Sequence, residues 1–297
     1  MAEVRIYEVG PRDGLQAEQT PVPLDAKLRY LGLLADAGLK EIEATSLVRP
    51  DAIPQLADAD ELLTRLDRRP GVRYPVLVPN ARGLERAVAG NVDAICLFTA
   101  ATESYAQHNI RMTIAESLAA FAPVAAEARR RGWWMRGYVS TAFGCPYEGE
   151  VDPGAVVRVG EALLAMGVDE LAISDTAGMA APVDVARVMG ALAEAGIATE
   201  ALAFHFHDTR GTALANVLAA MERGARSFDA ATGGTGGSPY APGAAGNLAT
   251  EDLVYLLDRQ GVRTDVDLGG VIAASRFISE QLGTTPASKV GRAGPWP

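Results

Sequence analysis

Short apolar runs of β type alternate with longer amphipathic stretches from one end of the chain to the other. Eight runs read as strands: Val4–Val9, Glu41–Ser46, Arg73–Val78, Ala94–Thr99, Met135–Phe143, Glu170–Asp175, Leu202–His207 and Ser227–Thr232. Between them, Leu24–Ala37, Ile114–Arg131, Pro153–Met166, Pro182–Ala195 and Thr212–Arg223 repeat their apolar residues at helical spacing. A glycine follows each of these five, at Gly38, Gly132, Gly167, Gly196 and Gly224, as expected where a helix ends in a left-handed residue. Eight strand–helix units predict an α/β chain folded as a (β/α)8 TIM barrel. The barrel is expected over about residues 4–260, with a short helical extension over about 261–297, the whole forming one domain. A doubly wound open sheet is the competing architecture, but no Gly-x-Gly-x-x-Gly phosphate turn follows a strand. No linker, charge block or low-complexity segment marks a boundary.

The barrel reading gathers the polar residues that end the strands, because such barrels carry their sites at the C-terminal strand ends. They are Arg12 and Asp13 after the first strand, Glu43 and Ser46 on the second, Asp175 and Thr176 at the sixth, and His205 and His207 at the seventh. Beyond the eighth, the Gly233–Gly237 run reads as an active-site loop leading to Ser238, Tyr240 and Asn247. The histidines are the sharpest signal. The chain has three, and two stand at alternate positions of His205-Phe206-His207, so they share one face of the strand. Two imidazoles on a rigid face form half of a metal site, although hydrogen-bonded barrel histidines fit the tripeptide alone equally well.

Asp13 supplies a carboxylate to the same mouth, and Asn247 can add an amide oxygen. Nitrogen and oxygen ligands without thiolate favour Mg, Mn, Co or Zn. Arg12 is a cation suited to a developing enolate oxygen, with Glu43 placed to hold it; read alone, the two make a plain ion pair. Asp175, read alone, caps the following helix. His108, in Gln107-His108-Asn109, reads as an exposed loop histidine.

Composition narrows the class. Of the 297 residues, 48% are hydrophobic, enough for a sizeable core. A net charge of -10 argues against a general nucleic-acid surface, while leaving room for a local basic pocket. Cys96 and Cys145 are too few for a disulfide framework. Arg5, Glu8, Arg12 and Asp13 come too early for a signal peptide, and no apolar run reaches the ~18 residues of a membrane span. The expectation is a cytoplasmic protein with no nucleic-acid or membrane partner; a homo-oligomer is compatible with the chain and not demanded by it.

Six segments carry a family resemblance. They are Glu8-Val9-Gly10-Pro11-Arg12-Asp13-Gly14-Leu15-Gln16, Ile42-Glu43-Ala44-Thr45-Ser46, Gly144-Cys145-Pro146-Tyr147-Glu148-Gly149, Ser174-Asp175-Thr176, His205-Phe206-His207-Asp208-Thr209 and Gly246-Asn247-Leu248-Ala249-Thr250-Glu251-Asp252. In this order they resemble the Asp-Arg-Glu TIM-barrel metallolyases and, within them, the 3-hydroxy-3-methylglutaryl-CoA lyase family. The condensing-synthase branch typically carries a Thr-Leu-Arg-Asp-Gly form and a further C-terminal domain, and this chain stops soon after the expected barrel.

The resemblance implies a divalent metal, Mg or Mn, on Asp13, His205, His207 and Asn247. It implies Arg12 at the thioester enolate, Glu43 in the catalytic cluster, and an acid/base role for His205 or Asp175. Gln16, Ser46 and Tyr240 would touch an acyl-CoA substrate. The reaction implied is retro-Claisen cleavage of 3-hydroxy-3-methylglutaryl-CoA to acetyl-CoA and acetoacetate. One position departs from the pattern: the family's Gly-x-Gly-Gly-Cys-Pro-Tyr-Ala loop reads Gly234-Thr235-Gly236-Gly237-Ser238-Pro239-Tyr240-Ala241. Ser238 is a far weaker acid than a thiol of pKa ~8.5. It directs attention to related tertiary-hydroxy thioesters such as citramalyl-CoA as alternative substrates. A catalytically inactive scaffold barrel is the remaining alternative, opposed by the retention of a costly polar cluster in the barrel mouth. Cys145 reads as structural.

Overall fold

The computed structural model describes residues 3–237 and 246–294. Nine strand segments form one sheet: β1 (Arg5–Glu8), β2 (Glu41–Ile42), β3 (Thr45–Ser46), β4 (Val76–Leu77), β5 (Ala94–Ala100), β6 (Trp134–Ser140), β7 (Glu170–Asp175), β8 (Leu202–Phe206) and β9 (Ser227–Ala230). Their order is β2-β1-β9-β8-β7-β6-β5-β4-β3, and every pairing is parallel. The two ends of that order, β2 and β3, are halves of one extended stretch. Across it Glu43 N–H donates to Glu8 O at 2.9 Å and Ala44 N–H to Pro75 O at 2.9 Å. The sheet therefore closes on itself as an eight-fold α/β barrel of the TIM type, which rules out the open doubly wound sheet.

Several expected strands are shorter than their apolar runs, three of them for local reasons that can be named. The stretch expected over Arg73–Val78 keeps a ladder only at Val76–Leu77, because Pro75 has no N–H to donate. The same gap divides β2 from β3. The run expected over Met135–Phe143 ends at Ser140, where Thr141 turns to a φ of 54°. His207 leaves β8 and bridges to Asn247 instead.

Alternation along the strands separates two apolar layers. Outward residues such as Ile6, Leu97, Val139, Ile173 and Phe204 pack beneath the helices. Inward residues Tyr7, Val9, Leu77, Cys96, Tyr138, Ala172 and Ala231 form a small cluster that fills the barrel. The expected helices appear as Leu24–Asp36, Ile114–Arg130, Pro153–Ala165, Pro182–Glu194 and Ala213–Glu222. Gly38 ends the first of them at φ 95°, and a Cβ there would strike the Asp265 carbonyl, so the turn requires glycine.

The extension holds helices Leu268–Leu282 and Lys289–Ala293. Its strap reaches the root of the glycine-rich loop, where Ala287 N–H donates to Gly233 O at 2.9 Å. No helix among the described residues is long and apolar enough to cross a membrane.

Candidate active site

β1 leads into a five-residue π-helical turn, Gly10–Gly14, in which Gly14 N–H reaches back to Val9 O at 3.1 Å. A π turn is a wider and less stable winding than an α turn, and a buried carboxylate holds it here. Glu8 accepts from Gly10 N at 2.9 Å, from Thr232 N and Oγ1 at 2.8 and 2.7 Å, and from Thr250 Oγ1 at 2.7 Å. A Cβ on Gly10 would lie 2.5 Å from both Glu8 Oε1 and the Tyr30 hydroxyl, so any larger residue would displace the carboxylate that holds the turn.

The turn places Arg12 and Asp13 at the barrel mouth. Arg12 donates from Nε and Nη2 to the two oxygens of Glu43, at 2.7 and 3.2 Å, and from Nη1 to Asp13 Oδ1 at 2.8 Å. Tyr138 completes the group: its hydroxyl donates to Glu43 Oε2 at 2.6 Å and its ring lies 5.4 Å from the Arg12 guanidinium. Burial alone would lower the Arg12 pKa, but Glu43 and Asp13 hold it well above its ordinary value. Three of the five N–H donors of Arg12 are engaged, which leaves two for a substrate oxygen.

Asp13, His205 and His207 each present a ligand atom within 4.8 Å of the others. The His205 and His207 Nε2 atoms are 3.0 Å apart. Two nitrogens bound ~2.1 Å from one cation must lie within ~4.2 Å of each other, and this pair does. Burial, then His205, push the His207 pKa down to about 3, so its imidazole is the neutral form that binds metals. Burial would raise the Asp13 carboxyl, but Arg12 beside it prevails and holds it at about 2.

Asn247 donates from Nδ2 to Asp13 Oδ2 at 2.9 Å and to Thr235 O at 3.1 Å, while its Oδ1 is buried without a hydrogen-bond partner. An orphaned amide oxygen beside a carboxylate and two imidazoles fits a hard divalent cation. Among the described residues this is the one group of three or more His, Cys, Asp or Glu side chains arranged to hold a metal ion.

These side chains open onto a cleft of about 690 Å³. Its polar lining includes Arg12, Asp13, Gln16, Tyr138, Ser140, Ser174, Thr176, His205 and His207; its apolar lining includes Val48, Ile53, Leu77, Phe98, Ile110, Met112 and Phe121. His108 and Tyr147 stand at its edge with their rings stacked at 4.2 Å.

A family model described as HMGL-like matches residues 3–278. The chain belongs to the HMGL-like family. It is 46% identical over 290 residues to the cytoplasmic 3-hydroxy-3-methylglutaryl-CoA lyase of Rattus norvegicus, covering 98% of this chain and 84% of that protein. The HMG-CoA lyase crystal structure from Bacillus subtilis superposes with a TM-score of 0.96 at 43% identity, covering 99% of this chain and 98% of that one. An HMG-CoA lyase from Acinetobacter baumannii, solved with coenzyme A and 3-methylmalate, gives 0.93 at 42% identity, covering 99% and 95%.

Within this HMGL-like barrel the residues expected from sequence are distributed unevenly. Arg12, Asp13, Glu43, His205, His207 and Asn247 are brought together, and Gln16 lines the cleft. Ser46 is buried at the end of β3, its Oγ accepting from Val48 N at 3.4 Å, and lines no part of the cleft. Asp175 is fully buried behind it. Its oxygens accept from Met179 N at 2.8 Å and Ala180 N at 3.1 Å, which braces the loop before helix Pro182–Glu194. The helix start itself is capped by Asp184 on Ala181 N, so a capping role for Asp175 does not hold. Burial lifts the Asp175 carboxyl to about 6. Ser238 and Tyr240 lie outside the described residues.

His108 corrects the loop expectation. It lies on helix Glu103–Ile110, where its Nδ1 donates to Ser104 O at 2.7 Å one turn earlier, and it is exposed as expected. Cys145 is buried and accepts from Thr102 Oγ1 at 3.3 Å, away from the cleft. Sequence reading missed Glu8, Tyr138, Arg136 and Asp229. A signal for two of them was present: Arg136, Tyr138 and Ser140 alternate with Met135, Gly137 and Val139, the mark of a polar inner face.

Proposed function

We propose that the chain is a divalent-metal-dependent carbon–carbon lyase that cleaves 3-hydroxy-3-methylglutaryl-CoA to acetyl-CoA and acetoacetate. The observation that carries the reading is the meeting of Asp13, His205 and His207 with the Arg12–Glu43 pair at one cleft. Its supports are the 46% identity to the rat enzyme and the coenzyme A held by the Acinetobacter relative.

Asp13, His205, His207 and the Asn247 Oδ1 would hold the cation, which we take to be Mg or Mn. When bound, it supplies Lewis acidity to the substrate's 3-hydroxyl. Proton removal from that hydroxyl is assigned to Asp175, which lies behind the cleft and must first release its bonds to Met179 N and Ala180 N to reach it; the Nε2 lone pair of His205 would be taken by the cation. A carboxyl lifted to about 6 is both ionised and basic at neutral pH. As the 3-oxygen becomes a carbonyl, the C2–C3 bond breaks and its electron pair passes to the thioester, forming an enolate and releasing acetoacetate. The two free N–H groups of Arg12 stabilise the enolate oxygen. Ser238 returns a proton to C2, an assignment made on sequence alone, and acetyl-CoA leaves. Gln16 and Tyr240 are assigned to the substrate, whereas Ser46, buried outside the cleft, is not. Residues 1–297 act as one catalytic unit, and we place it in the cytoplasm.

The test is a coupled assay for acetyl-CoA released from 3-hydroxy-3-methylglutaryl-CoA and citramalyl-CoA in the presence of Mg or Mn. The first ester is expected to be the better substrate, and Ser238→Cys is expected to speed its cleavage. Efficient release from citramalyl-CoA with none from the methylglutaryl ester would overturn the substrate and leave the bond-breaking chemistry.

A further inference from the structure

Beneath the mouth, inside the barrel, one arginine is completely enclosed. Arg136 has no exposed surface, and its guanidinium lies 3.8 Å from the Tyr7 ring centroid and 5.2 Å from that of Tyr138. A buried cation needs carboxylate partners, and it has two. Nη2 donates to Asp229 Oδ1 at 2.5 Å, and Nε pairs with Glu170 Oε1 at 3.1 Å. The other oxygen of Asp229 bonds His205 Nδ1 at 3.0 Å.

The direction of that last bond follows from chemistry. A carboxylate paired with a guanidinium can only accept, so the ring proton of His205 is on Nδ1. In the neutral imidazole that binds a metal, Nε2 then carries the lone pair, and it points to His207 Nε2, 3.0 Å away, where the cation is expected. Arg136 and Tyr138 are two residues apart on β6 and share its inward face. One platform therefore serves both halves of the site. Tyr138 steadies Glu43, Arg12 and Asp13, and Arg136 steadies Asp229 and His205.

We propose that Arg136 and Asp229 are positioning residues that set the tautomer and aim of His205 and thereby the affinity of the site for a divalent cation. The proposal rests on the metal reading of Asp13, His205 and His207. It assigns Asp229 to hold the imidazole and Arg136 to hold Asp229. Outer-shell carboxylates on ligating histidines act in this way, and their loss typically weakens metal binding ~10–100-fold.

The experiment titrates Mn2+ into the full-length protein, followed by electron paramagnetic resonance, for wild type, Asp229→Asn, Arg136→Gln and the double variant, with melting temperatures recorded alongside. Each single variant is expected to bind Mn2+ ~10–100-fold more weakly. The double variant should bind no more weakly than the poorer single one, because the two residues act along one path. Folded single variants that keep wild-type Mn2+ affinity while melting lower would show a purely structural role and overturn the proposal. So would losses that add independently. Wild type that binds no Mn2+ would defeat the metal reading and this inference with it; wild type that binds and variants that bind equally defeat the inference alone.

A second measurement does not depend on the variants folding. In 15N-histidine spectra of the metal-free wild type, His205 is expected as the Nδ1–H tautomer, and an Nε2–H tautomer there would overturn the assignment.

Discussion

The polar and the apolar lining of the cleft are held in place by different means. The polar lining is buried and cross-linked: Arg12, Tyr138, His205 and His207 are 3–6% exposed, and each has a charged or hydrogen-bonded neighbour fixed to a strand or to the turn after β1. The apolar lining is buried at Leu77 and Phe121 and open toward Met112 and Tyr147. Met112 is 36% and Tyr147 46% exposed, and the His108–Tyr147 stack joins helix Glu103–Ile110 to the turn after β6. Groups that must meet reacting atoms within tenths of an ångström need a rigid frame. Groups that grip the length of a substrate need area and tolerate motion. The polar lining thus has the rigidity that turnover requires, and the apolar lining has the area that binding requires.

The sharpest break of that contrast comes from the metal ligands. His207→Ala removes a ligand outright, so bound metal and turnover should fall by more than the ~10–100-fold expected of a supporting residue. Elemental analysis that finds a full complement of metal in that variant would refute the ligand set.

Asp175→Asn should slow kcat by ~10²–10⁴-fold, the usual contribution of a general base. In wild type kcat/KM should fall as the pH drops below about 6, because the carboxyl is then protonated, and this limb should vanish in the variant. Stability has the opposite sign. A carboxyl raised from 3.8 to about 6 favours the folded state below its unfolded pKa, and that contribution is lost as the pH rises through about 6. Melting curves across that window should show wild type losing stability relative to Asp175→Asn; parallel curves would contradict the buried, raised carboxyl.

Arg12→Met keeps the reach and removes the charge. It should lower kcat ~10²–10³-fold with little change in KM, since the cation acts on charge that develops in the transition state. A rise confined to KM would move Arg12 to the binding surface.

The smallest effect is expected at the edge of the cleft. His108→Ala removes one ring of a stacked pair worth ~0.5–1.5 kcal/mol, so KM should rise ~2–10-fold with kcat preserved. A large loss of kcat there would erase the distinction between the two linings.

Local signals determined a good deal of this. Periodicities of two and of 3.6 residues depend on neighbours along the chain, so the strand–helix alternation, the Gly38 and Gly167 helix ends and the common face of His205 and His207 could be read without coordinates. The turn at Gly10–Gly14 could be located but not shaped, because a π turn depends on Glu8 reaching Thr232 and Thr250, more than two hundred residues away.

Barrel closure decided the rest. Which inward residues meet is fixed by strand stagger, a property of the whole sheet. Tyr138 joins Glu43 across 95 positions, and Arg136 joins Asp229 across 93. Each looks in sequence like a polar residue at an inconvenient place in a strand. The strand pattern determined that they point inward; only the closed barrel determined what they point at.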